Sequence, residues 1–147
     1  MTAAAVVEGA SRPRGPWRTC GWCAVAVAVE VALYLSYRGH DARFHWFTHL
    51  LVGAATALTV MAVAAKVRRT AVARPLLWPL IGHLYAMAPD LLFAGGAAHE
   101  RWMDVFLGHV TVHFVPGRNW TWLAVFLIAL AAYLSVVDRL RAAPRHA

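Results

Sequence analysis

The sequence predicts an all-α fold: an integral membrane helical bundle of four spans plus one shorter interfacial or re-entrant helix. Three observations predict it. The 147 residues are 61% hydrophobic and only 14% charged, whereas an ordinary soluble domain is about half apolar and about a quarter charged. Four apolar runs, residues 20–37, 47–65, 76–94 and 120–137, approach the roughly 20 residues that an α-helix needs to cross a bilayer. The basic residues fall in short clusters between these runs, as in membrane loops. They form no stripe interleaved with aromatics, which argues against a nucleic-acid partner despite a formal charge of +7.

Taken in order, residues 1–18 are rich in Ala, Gly, Pro, Ser and Arg and read as a disordered basic tail. The first apolar run is too long for the core of a signal peptide and lacks a clear small-residue cleavage site, so it reads as a retained span. Cys20 and Cys23 stand at its start in C-G-W-C. Two cysteines make no disulfide framework, and without a strand–helix context they read as two small residues one helical turn apart. The second span opens in "HDARFHWFTHLLVG", where Asp41 is placed to cap a helix. The third is interrupted by Pro89 just before Asp90. Residues 102–115 are too short to span and carry Asp104, His109 and His113. Before the fourth span, "PGRNWTW" supplies a turn and an interfacial aromatic pair, Trp120 and Trp122; Trp46, Trp78 and Trp102 fit the same anchoring role. The membrane domain is thus expected over 19–138, with small-residue faces such as "GAATA" for helix packing, and a basic tail over 139–147.

Lys and Arg favour the cytoplasmic side. With four spans, ten of the fourteen fall on one side, in the two tails and the loop holding Lys66, Arg68, Arg69 and Arg74. The expected location is the cell membrane, multi-pass, with both termini cytoplasmic. The same orientation gathers His40, Asp41, His45, His49, Asp90, His99, Glu100, Asp104, His109 and His113 at the opposite face; of the eight histidines only His83 and His146 fall elsewhere.

His45 and His49 are four apart, on one helical face, where two imidazoles can chelate one transition ion. Asp90 at a span end needs a metal, an arginine or water. His109 and His113 come within chelating distance in a helix but stand about 13 Å apart in a strand, and "HVTVHF" alternates as a strand would. In an unbroken helix Asp104 and His109 point about 140° apart, so a shared ion requires a break, for which Gly108 is suited. The candidate metal ligands on these grounds are His45, His49, Asp90, Asp104, His109 and His113, around a divalent ion for which Zn²⁺ is the candidate. His83 lies roughly 10 Å deeper than Asp90 on the same face; it is expected to pair with Glu30, at comparable depth in the first span.

The order of motifs resembles the bacterial membrane-bound metal-dependent hydrolases. That family shows a T-H-x-L-x-G-like span start, then P-D-x-D at a span end, then an H-R-G-x-T-H-S-like segment. Here "THLLVG" begins at Thr48, "PDLL" at Pro89 and "HERWMD" at His99, a resemblance covering about half the chain. It implies His49, Asp90 and His99 as ligands and hydrolysis of a phosphoester or lipid-like substrate by a metal-activated water. Two positions depart: Leu92 replaces the second Asp of P-D-x-D, and Asp104 falls where the last motif has its second His. An aspartate can still ligate. Glu100 or Asp104 is the candidate general base, and Arg43 and Arg101 are placed to hold an anionic or amphiphilic substrate. Two other readings stay open. In one, the histidines hold haem or a di-iron centre; in the other, the chain is a non-catalytic membrane protein that binds a partner or senses pH.

Overall fold

The computed structural model describes residues 16–36, 42–96, 98 and 100–143. Four α-helices follow in order: α1 (Pro16–Ser36), α2 (Ala42–Arg68), α3 (Leu77–Ala94) and α4 (Asn119–Ala142). Between α3 and α4 the chain makes two short 3-10 helices, Arg101–Val105 and Thr111–Phe114. The described residues contain no strand, so the alternating "HVTVHF" is turn and 3-10 helix instead. Alternation decides for a strand only where a neighbouring strand can take the backbone hydrogen bonds, and none is present here.

Pro16 opens α1, a position where a missing amide hydrogen costs nothing and the fixed φ favours the helix. Helicity therefore starts inside the stretch expected to be a tail. The cap expected at Asp41 lies outside the described residues. Lys66 and Arg68 close α2, and Arg139 and Arg141 close α4, each pair complementing the negative end of its helix dipole.

The longest helix, α2, is the hub. It packs along both α3 and α4, while α1 meets α3 only lightly. The α2–α3 crossing is made by Gly53 and Gly82. A Cβ on Gly53 would land on the Gly82 carbonyl and the His83 nitrogen, and one on Gly82 would land on the Gly53 carbonyl. Backbones approach this closely only where both helices offer glycine. On the other side of α2, Ala55, Leu58 and Met61 bury against Ala129, Tyr133 and Val137 of α4. The Thr48 hydroxyl donates to Asn119 Oδ1, which fixes the N-terminal ends of α2 and α4 side by side. Their basic C-terminal ends are then neighbours at the far end of the bundle.

Two helices are long and apolar enough to cross a bilayer, His45–Arg68 and Asn119–Ala142. The apolar part of α1, Cys20–Leu35, is shorter. All four helices turn large apolar side chains outward: Val27 on α1, Val63 on α2, Ile81 on α3 and Ile128 on α4 are each more than half exposed. Trp120 and Trp102 also lie exposed, but Trp46 turns inward and packs edge-on against Tyr34 and His83.

Candidate metal centre

Three segments deliver side chains to one point at the end of the bundle where α2 and α4 begin. His49 comes from the second turn of α2, Asp90 from the last turns of α3, and His109 from the turn between the two 3-10 helices. Each offers a ligand atom, and these atoms lie within 4.8 Å of one another. Asp90 Oδ1 is 3.1 Å from His109 Nε2, and Asp90 Oδ2 is 3.5 Å from His49 Nε2. The two imidazoles stack nearly parallel with centroids 4.4 Å apart. His49 and His109 are almost wholly buried and Asp90 largely so.

The local structure explains how the site is held. Pro89 lacks the amide hydrogen that would bond the Tyr85 carbonyl, and the adjacent carbonyl, Ala86, accepts a 3.2 Å hydrogen bond from His109 Nδ1. That bond requires a proton on Nδ1 and turns Nε2 toward Asp90, the orientation in which a histidine offers Nε2 to a metal. His49 Nε2 is buried and makes no hydrogen bond among the described residues. A buried ring nitrogen in that state costs free energy unless something fills the position, and an ion between the three side chains would do so.

His113 and His45 extend the cluster. His113 stands edge-on to both His49 and His109, with centroids 5.1 and 6.0 Å away, and packs against His45 at 4.4 Å. Burial, then the adjacent His45 and His109 and the Arg118 guanidinium, push the His113 imidazole down to about 4 against the pull of Asp90. At neutral pH its lone pair is therefore available. His45 lies at the exposed rim.

The intervening loop is shaped by Asp104. Its Oδ1 accepts from the amides of Val110 and Thr111 at 2.7 and 3.0 Å, and its Oδ2 accepts from the Thr111 hydroxyl at 2.8 Å. The Thr111 amide and hydroxyl, with the Val110 amide, hold this carboxyl below the usual carboxylate range. Leu107 (φ 57°) and Gly108 (φ 70°) are left-handed, so the chain breaks where the sequence suggested. Met103, fully buried, pins the loop to the bundle, and the Tyr85 hydroxyl donates to the Val105 carbonyl.

Of the residues expected from sequence, the structure thus brings His49, Asp90 and His109 together, with His113 and His45 beside them. Asp104 is engaged by its own loop and is not among the three. Glu100 and Arg101 are exposed. His99 and the Arg43 side chain lie outside the described residues. Two participants were not anticipated, the Ala86 carbonyl and Arg118. A backbone carbonyl carries no residue-type signal, and Pro89 frees the neighbouring Tyr85 carbonyl and not that of Ala86.

The expected Glu30–His83 pair is present below this cluster. His83 Nδ1 lies 2.7 Å from Glu30 Oε2 and 2.9 Å from Oε1. His83 itself is completely buried.

The chemistry available at the upper cluster is that of two imidazoles and one carboxylate, a donor set suited to a divalent transition ion such as zinc and short of the four ligands of a closed structural site. Comparison with protein-family models, curated proteins and solved structures finds no match to the chain.

Proposed function

We propose that this is a multi-pass membrane protein whose extracytoplasmic end holds one divalent metal ion between His49, Asp90 and His109, and that it is a metal-dependent hydrolase of a phosphoester or lipid-like substrate. The observation that carries the reading is the convergence of three ligand atoms, from three segments far apart in sequence, within 4.8 Å. Four spans with both termini cytoplasmic are supported by outward-facing apolar side chains on all four helices. The shared basic end of α2 and α4, opposite the histidine cluster, supports the same orientation.

Hydrolysis is favoured because His49, Asp90 and His109 would leave a held divalent ion a position for water, and such an ion would supply an acidified water and polarise the scissile group. The protein's own contribution is to fix the ligands. Ala86 sets the His109 tautomer, and the Asp104-braced loop sets where His109 and His113 stand. Burial of His49 and Asp90 keeps bulk water from competing. Arg118 and Arg101, both exposed near this end, are available to an anionic headgroup.

Elemental analysis of the detergent-purified chain tests the metal site. Stoichiometric zinc or another divalent ion, lost in Asp90→Ala and His109→Ala with helicity retained, is the expected result. Absence of metal, or its retention in both variants, defeats the proposal. Turnover of a chromogenic phosphodiester by the metal-loaded protein, abolished by chelation, then tests the hydrolase assignment. Stoichiometric metal without hydrolysis of phosphoester or lipid ester would reject that assignment alone.

A further inference from the structure

A second site lies away from the metal cluster and is independent of it. An apolar cavity of about 980 Å³ opens among all four helices, within the size range of pockets that enclose small organic ligands. Its wall is aliphatic and aromatic with one charged residue, Glu30. Tyr34, one helical turn beyond Glu30 on the same face of α1, lines the cavity, as do Trp46 and Phe47 of α2. Tyr34 and Trp46 meet edge to face at 5.3 Å, and Trp46 stacks with Phe47 at 6.5 Å.

Glu30 is the feature that needs an explanation, because a carboxylate in an apolar wall is expensive and within a membrane marks function by default. His83 partners it from the buried side only. The carboxylate stays 22% exposed while the imidazole is sealed. The imidazole is sealed away from the cavity, so the carboxylate is the member of the pair that an occupant meets. A purely aliphatic occupant would fill the volume and leave the carboxylate unmatched. A hydrated inorganic cation would find one carboxylate and almost no other oxygen. An organic cation with an apolar body matches both features: its charge meets Glu30 and the rings beside it, and its body fills the rest.

We infer that this cavity binds a lipophilic organic cation, of the quaternary ammonium or phosphonium class, with Glu30 as counter-charge and Tyr34, Trp46 and Phe47 as its aromatic wall. The probe is tetraphenylphosphonium, titrated against the full chain in lipid nanodiscs by equilibrium dialysis. Saturable binding is expected, displaced by dodecyltrimethylammonium but not by dodecanol, which has the same tail without the charge. Glu30→Gln, whose side-chain carbonyl can still accept from His83 Nδ1, should weaken binding about tenfold, and Tyr34→Leu should weaken it about threefold. Only non-saturable partitioning, equal displacement by dodecanol, or unchanged affinity in Glu30→Gln would overturn the assignment. Should Glu30→Gln fail to fold, the competition in the unaltered protein decides the matter, with Tyr34→Leu as the second variant.

Discussion

Helix α3 carries two histidine–carboxylate clusters about two turns apart, and they differ in kind. At His83 the ring nitrogen and the Glu30 carboxylate close to 2.7 Å, a two-member contact with no room for a third group between them. At Asp90 the carboxylate faces two imidazoles at 3.1 and 3.5 Å, with a third ring edge-on beside them. The first is a two-member hydrogen bond; the second gathers three donors that could share an ion. A His–carboxylate pair in an apolar helix is thus not by itself a metal signal. The discriminating features are the number of converging donors and the slack between them.

The strongest way to break this comparison is to remove the shared carboxylate of the upper cluster. Asp90→Ala should lower metal affinity by at least about a hundredfold, beyond what loss of a supporting partner produces, as read by competition with a zinc chelator. His83→Leu should leave metal content unchanged; a parallel loss there would erase the distinction between the clusters. Next in size is the spacer between α2 and α3. Gly82→Ala forces the backbones apart and should cost about 1–3 kcal/mol in detergent unfolding, with metal affinity falling as well, because His49 and Asp90 ride on the two helices that separate. His83→Leu should itself cost about 1–2 kcal/mol by removing the hydrogen bond to Glu30.

The smallest effect belongs to Asp104. Its carboxyl is held low in the folded chain, so its contribution is present above the unfolded value of about 4 and disappears as pH falls through the lower folded value. Asp104→Asn should therefore mobilise the 101–114 loop at neutral pH, seen as faster amide exchange at Val110 and Thr111, and differ little from the unaltered chain in strong acid. Retention of full protection at neutral pH would show that the loop is held by Met103 packing instead.

Much of this was legible in the sequence because it follows from periodicity and hydropathy. The apolar runs set the helices within a few residues, the i, i+4 spacing put His45 and His49 on one face, and the depth of Glu30 and His83 suggested their pairing. Two of the helices, α2 and α4, meet the length and apolarity of a span outright; α1 has too short an apolar stretch to do so alone. The loop was the illegible part. Asp104 is both a plausible ligand and a plausible turn-former by composition, and only its contacts with Val110 and Thr111, made possible by left-handed backbone at Leu107 and Gly108, separate the roles. Likewise His109 takes its orientation from a backbone carbonyl, and a backbone group leaves no residue-type signature. Trp46 reads as a headgroup anchor by type, yet faces inward because Tyr34 and His83 offer it a packed wall.

The glycine contact between α2 and α3 has a mechanical consequence. With no side chain between them, the two helices cannot slide or rock past one another without backbone collision, so they move as one body. Distances between donor atoms borne on that pair would stay constant as the bundle deforms, while the lightly packed α1 is the helix left to shift.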